Sequence, residues 1–134
     1  MHKLLLDLPI SFETERLRIR KYEKGDGKHV FDLLERNDNR NFLKEEADEA
    51  TDLKTEEDAE INVREHAAEW ESRERFVMGI WLKEETLHIG QIWIEPKKWE
   101  VPSFELGYFL DSGYLGKGLA TEASKGAIDF IFNK

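Results

Sequence analysis

The chain contains no cysteine, which excludes disulfides and thiolate metal ligands. It has no apolar run of membrane-spanning length. Met1 to Leu8 is too short and too charged for the apolar stretch of a cleavable signal. A cytoplasmic protein away from the membrane is the expectation. Basic charge is in deficit, with 20 Lys and Arg against 29 Asp and Glu, for a net charge of −9. Nucleic acid is therefore disfavoured as a main partner, since phosphate binding needs a basic footprint. Repeats and linkers are missing, and the only biased segment is the acidic run from Glu45 to Glu60. What remains is the composition of a folded protein: 134 residues, 40% hydrophobic and 11% aromatic. That length suits one domain, residues 1–134, with a core of its own.

The acidity is concentrated. From Glu45 to Arg75 there are thirteen Asp and Glu against Lys54, Arg64, Arg73 and Arg75, so this segment carries the whole net charge of −9. Such a face attracts a cationic acceptor such as an amine. The alternative is a solvated helix face.

Periodicity gives the order of elements. Arg16, Arg18 and Arg20 alternate with Leu17 and Ile19, the pattern of a half-buried strand. Lys24-Gly25-Asp26-Gly27 is a turn. Val30, Phe31, Leu33 and Leu34 form the apolar side of a short helix that ends at Asn37-Asp38-Asn39. Thr55 and Asp58 approximate a capping box. Behind them Ala59, Val63, Ala67 and Trp70 make one stripe of a second helix. Glu60–Arg64, Glu69–Arg73 and Glu71–Arg75 sit at the i,i+4 spacing that supports it. Phe76 to Leu82 and Leu87 to Glu95 read as a hairpin, Lys97 to Ser103 as a loop with Pro102, and Phe104 to Leu110 as the next strand. Ala120 to Phe132 is a helix. The order β-α-α-β-β-β-α is that of an α+β fold: an antiparallel meander with helices on its faces, and not a doubly wound sheet.

One junction carries chemistry. Tyr114-Leu115-Gly116-Lys117-Gly118-Leu119-Ala120 lies between a strand and a helix. Glycines there let the backbone turn tightly and approach a ligand. The helix start offers free N–H groups and a positive dipole end to a phosphate. The spacing is neither that of a Walker loop nor that of a dinucleotide fingerprint.

The string resembles the pyrophosphate loop of the GNAT superfamily of acyl-CoA-dependent N-acetyltransferases. Gly107-Tyr108-Phe109-Leu110-Asp111 followed by Tyr114-Leu115-Gly116-Lys117-Gly118-Leu119-Ala120-Thr121-Glu122-Ala123 is most similar to the branch that acetylates ribosomal-protein N-termini. Glu13-Thr14-Glu15-Arg16-Leu17-Arg18-Ile19-Arg20 resembles the first strand of that branch. The resemblance implies a GNAT-like, mostly antiparallel sheet. It also implies acetyl-CoA as co-substrate, no metal, and an amine acceptor, either a small molecule or a protein N-terminus. Members of the superfamily continue with another strand, a helix and a closing hairpin beyond the point matching Lys134. The pantetheine slot and a proton-donating tyrosine are completed there. The sheet edge left at Phe104 to Leu110 is therefore expected to invite pairing with a second copy.

The same resemblance assigns roles. Backbone amides of Leu115, Gly116, Lys117, Gly118, Leu119 and Ala120 hold the pyrophosphate. The backbone of Tyr108, Phe109 and Leu110 pairs with pantetheine as a strand would. The amide of Phe109 or Leu110 serves as oxyanion donor. Glu105 is the candidate general base, placed by alternation on the face of Gly107 and Phe109, with Glu95 in reserve. His29, His66 and His88 lack the paired spacing of a metal site, and Ser103 and Ser124 lack a nucleophile signature. Trp81, Trp93 and Trp99 read as packing residues. Beside the enzyme stands a second reading, a CoA-binding or interaction module without turnover, and a third, a shortened piece of such an enzyme.

Overall fold

A computed structural model describes residues 2–98 and 103–132. The Arg16 to Arg20 alternation forms one strand, and the Glu13 to Arg20 stretch expected as a single strand spans the end of another before it. β1 (Ser11–Glu13) and β2 (Leu17–Lys21) form a tight hairpin. Thr14 makes the bend: its amide donates to the Leu17 carbonyl at 2.9 Å, and its hydroxyl accepts from the Leu17 amide at 3.2 Å. A side chain that bonds its own backbone nearby offers the chain a turn in place of a straight strand.

Four helices separate β2 from the next strand: α1 (Gly27–Glu35), the short α2 (Asn39–Phe42) and α3 (Asp48–Thr51), and the long α4 (Glu56–Ser72). Gly27 belongs to α1, not to the expected turn. A Cβ there would stand 2.5 Å from the backbone of Glu60, so only glycine lets α1 and α4 approach this closely. The capping box at Thr55 forms: its side chain accepts from the Asp58 amide at 3.0 Å, and Asp58 accepts from the Thr55 amide at 3.3 Å. Of the three expected ion pairs on α4, only Arg64–Glu60 is present, at 2.8 Å. Arg73 has φ 61° and ends the helix, which swings it to the Leu6 carbonyl and leaves Arg75 3.4 Å from Glu69.

β3 (Phe76–Leu82), β4 (Leu87–Lys98) and β5 (Ser103–Leu110) complete one antiparallel sheet in the order β1-β2-β3-β4-β5, followed by α5 (Leu119–Phe132). β4 runs past Glu95 to Lys98, with a register irregularity after Pro96, so part of the expected loop is strand. Trp99 and Pro102 lie outside the described residues. Side chains alternate across the sheet. Leu17, Ile19, Phe76, Met78, Ile80, Ile92 and Ile94 bury against Leu119, Ala123, Ala127 and Phe130 of α5. Val77, Trp81 and Phe109 bury against Val30, Leu33 and Leu34 of α1 and Ala59 and Val63 of α4. Each large side chain so buried contributes about 1.5–3 kcal/mol.

The two edge strands differ in length, three residues in β1 and eight in β5, and neither has a strand partner on its outer side among the described residues. Leu106 and Tyr108 of β5 and Ile128 and Phe132 of α5 stay exposed. No described helix is long and apolar enough to cross a membrane.

Candidate active site

The junction between β5 and α5 is built around two backbone positions. Gly116 has φ +74° and Gly118 φ +77°, a region that costs an L residue about 1–2 kcal/mol. With these turns the amides of Leu115 through Thr121 find no protein acceptor among the described residues. The last of them are the orphan donors of the α5 N-terminus. The space beside Gly116 is open, since nothing lies within 4 Å of where a Cβ would stand. A run of unpaired N–H groups at a helix start suits a pyrophosphate.

Two side-chain networks hold this junction, and both reach far back along the chain. The first centres on Asp111, which is fully buried. Its carboxylate accepts from Arg36 Nε at 2.6 Å, Asn37 Nδ2 at 2.9 Å and the Gly113 amide at 3.0 Å. Burial, the largest influence, pushes its pKa up, but these donors together outweigh it and hold the group below its usual range. Arg36 also donates to the His88 carbonyl, and Asn39 Oδ1 accepts from the Ser112 amide at 2.8 Å. The end of β5 is thereby tied to the segment following α1.

The second network centres on Glu122 in the first turn of α5. It accepts from Thr14 Oγ1, from the Arg16 amide at 2.8 Å and from Arg16 Nε at 2.7 Å. Desolvation raises its pKa, but these hydrogen bonds prevail and keep it ionised below the normal carboxylate value. Arg16 Nη1 then donates to the Lys117 carbonyl at 2.9 Å. Lys117 itself is exposed, with its ammonium 5.5 Å from the centre of the Tyr114 ring.

Strand geometry sorts the three expected pantetheine-pairing residues. The Asp111 amide donates to the Ile89 carbonyl at 2.7 Å, and Phe109 stands opposite Gln91 in register. In an antiparallel pair, alternate residues turn both backbone groups to the same neighbour. Phe109 therefore faces β4, with its carbonyl 2.3 Å from where a Cβ on Gly90 would lie. Tyr108 and Leu110 turn their amides and carbonyls to the open edge. Of the two candidate oxyanion donors, Leu110 is the one free to act.

Glu105 sits four residues before Phe109, about 13 Å along the strand at the usual rise. Its carboxylate is mostly exposed and faces Glu95 in register on β4. Lys97 bridges the pair, contacting Glu95 closely and Glu105 at 3.4 Å. On the same sheet face lies a cavity of about 130 Å³. Gln91, Trp93 and Phe109 line it from the sheet, Asn62 and His66 from α4, and Arg75 from just before β3. Glu46, Asp48 and Glu49 line it as well. The Tyr22 hydroxyl, buried beneath, lies 3.0 Å from Gln91 Oε1 and 2.9 Å from His88 Nε2. Burial lowers the pKa of His88 to about 3, so it is neutral.

The structure thus gathers Leu115 to Ala120 with the Leu110 end of β5, and places Glu105 further along that strand. Thr14, Arg16, Arg36, Asn37, Asn39, Asp111 and Glu122 have no role in the sequence-based assignment; Thr14, Arg16, Asp111 and Glu122 lie within the strings that carry the resemblance, whereas nothing local marks Arg36, Asn37 or Asn39. Among the described residues no group of three or more His, Asp or Glu could hold a metal ion.

The acetyltransferase (GNAT) domain family model matches residues 16–134. No curated protein sequence matches. Solved structures similar to the chain include a Vibrio cholerae protein described as a ribosomal-protein-serine acetyltransferase. It has 18% identity and a TM-score of 0.76, and the match covers 96% of this chain and 70% of that one. The ribosomal-protein-S5-alanine acetyltransferase of Vibrio fischeri is 22% identical with a TM-score of 0.74, over 93% and 68%. The ribosomal L7/L12 α-N-protein acetyltransferase RimL, in complex with coenzyme A, is 14% identical with a TM-score of 0.75, over 90% and 64%. The chain therefore spans roughly two thirds of the length of these proteins.

Proposed function

Because the chain belongs to the GNAT acetyltransferase domain family, we propose that it transfers an acetyl group from acetyl-CoA to a primary amine, with a protein N-terminus as the favoured acceptor. The observation that carries this reading is the run of unpaired amides from Leu115 to Thr121 beside the open edge of β5. A diphosphate and an extended amide-bearing arm would satisfy those two features together. Bound acetyl-CoA supplies an activated thioester.

The protein's share of the chemistry is positional and electrostatic. Amides of Leu115 to Ala120 hold the pyrophosphate. Tyr108 and Leu110 pair with the pantetheine arm in the manner of an added strand. The Leu110 amide donates to the carbonyl oxygen as charge develops there, an interaction worth roughly 3–4 kcal/mol where such donors have been removed. Glu105 accepts the proton that the acceptor ammonium must lose before attack, and its distance from Leu110 requires water to relay it. An α-amino group, with a pKa of about 8, needs less help than a lysine at about 10.4. A protein N-terminus therefore suits a base that acts at a distance. The cavity between α4 and the sheet receives the acceptor. Its carboxylates draw in a cation, and Trp93 and Phe109 give it an apolar floor.

Calorimetric titration with acetyl-CoA, followed by a thiol-release assay against amines and short peptides, tests this. Saturable binding with amine-dependent thiol release is the expected result. Binding without release for any amine would leave a coenzyme-binding module. No binding at millimolar coenzyme would remove the reading altogether.

A further inference from the structure

The two sequence segments that carry the family resemblance, Glu13 to Arg20 and Tyr114 to Ala123, meet in space as one hydrogen-bonded unit. We propose that Arg16 is a positioning residue for the coenzyme, fixing the loop amides through Glu122 and the Lys117 carbonyl. This rests on the coenzyme-binding reading above.

The bond between Lys117 and Gly118 is planar and trans, so its C=O and N–H point in opposite directions. Arg16 Nη1 pulls the Lys117 carbonyl toward the β1–β2 hairpin at 2.9 Å. The Gly118 N–H is thereby turned away from the hairpin, and it has no acceptor among the described residues. Glycine at 118, with φ +77°, lets the plane be set from outside, because no side chain fixes it.

The guanidinium needs an anchor of its own, and Glu122 provides it. Arg16 reaches Glu122 Oε1 with Nε at 2.7 Å and Oε2 with its own amide at 2.8 Å, and Thr14 adds its hydroxyl to Oε2. One arginine therefore binds both the first turn of α5 and the loop before it. A fork of rigid donors can do this, whereas the single ammonium of a lysine cannot. Since Glu122 neutralises Arg16, the effect on a phosphate runs through backbone orientation rather than net charge.

The test uses the whole chain with Arg16→Gln, Arg16→Lys and Glu122→Gln, the last serving if the arginine variants do not fold. Heteronuclear NMR of the free protein follows the amides of Gly116 and Gly118. Separate titrations use CoA and pantetheine, which lacks the pyrophosphate. In all three variants the two glycine amides should shift and gain mobility. CoA affinity should fall by on the order of 10- to 100-fold, the loss of one charge-assisted hydrogen bond, with pantetheine affinity changed less than about two-fold. Unmoved glycine amides would overturn the proposal. So would equal losses for CoA and pantetheine, which mean general damage, or recovery by Arg16→Lys, which means bare charge attraction. If the native chain binds no CoA, the coenzyme reading falls by itself, and the glycine amides alone then decide whether Arg16 positions the loop.

Discussion

The corner proposed for the coenzyme and the cavity proposed for the acceptor lie at the same sheet and are made in opposite ways. The corner is backbone: amides from Leu115 to Thr121, two glycines at positive φ, and side chains such as Glu122 and Asp111 used as anchors behind them. The cavity is side chain: carboxylates, an arginine, amides, an imidazole and two aromatic rings drawn from separate elements. A backbone site is general, because every residue has an amide, and only its turn geometry is demanding. A side-chain site is specific, because each contact depends on one residue type. The contrast suits an enzyme that shares its donor with a family and selects its own acceptor.

The sharpest way to break the contrast is to put a side chain into the corner. Gly118→Glu forces an L residue to φ near +77° and places a negative charge beside the pyrophosphate. CoA affinity should drop by more than about 1,000-fold, as two like charges at close range in a partly shielded site repel by several kcal/mol. Calorimetry with unchanged affinity would show that the loop does not hold the coenzyme.

Next in size is Glu105→Gln. It should lower kcat by on the order of 10²–10⁴ while CoA still binds, and the loss should shrink as the pH approaches the pKa of the amine. A rate near the native value from neutral to alkaline pH would shift attention to Glu95, which Lys97 joins to Glu105, or to solvent.

The cavity is probed by charge. Reversing Glu46, Asp48 and Glu49, which line it, should raise KM for a basic acceptor roughly 10-fold at low salt and less at high salt, because screening weakens the attraction. Reversing Glu56, Glu57 and Glu65, which are exposed and line no part of it, should leave KM alone. Equal effects from both sets, or none from either, would return the whole segment to a solvated face.

The same division explains what could be read from the sequence. The corner was legible because Gly116, Gly118 and the start of α5 are neighbours in the chain and their chemistry is local. The meander and the Thr55 cap were legible for the same reason. Arg36–Asp111 and Thr14–Glu122 were not, since their partners are 75 and 108 residues apart and no local period marks them. The bend at Thr14 falls just before the Arg16 to Arg20 alternation, inside the Glu13 to Arg20 stretch that the resemblance reads as one strand. The i,i+4 spacing suggested Glu69–Arg73 and Glu71–Arg75, but the left-handed turn at Arg73 redirected both arginines. The acidic count from Glu45 to Arg75 was correct, yet it could not say which acids face the cavity.

Glu60 draws that line within one helix, and it gives the smallest effect. It belongs to the acidic segment but serves the fold: its carboxylate accepts from the Gly25 amide at 3.0 Å, the Gly27 amide at 2.9 Å and Arg64 at 2.8 Å. The Gly25 hydrogen bond leads, helped by Arg64 and Gly27, in lowering its pKa from 4.5 to about 2. A carboxylate whose pKa is depressed by folding stabilises the protein while ionised. That contribution is complete above the unfolded value of 4.5 and drains away as the pH falls toward 2. Glu60→Gln should therefore lower stability by about 1–2 kcal/mol at neutral pH, because glutamine keeps an acceptor but not the charge. The gap in Tm between native and variant should close as the pH is taken through 4 to 2, and KM for a basic acceptor should stay the same. A gap that stays constant with pH would mean that packing, not ionisation, makes Glu60 matter. A raised KM would mean that the fold-serving and acceptor-facing acids are not separate groups.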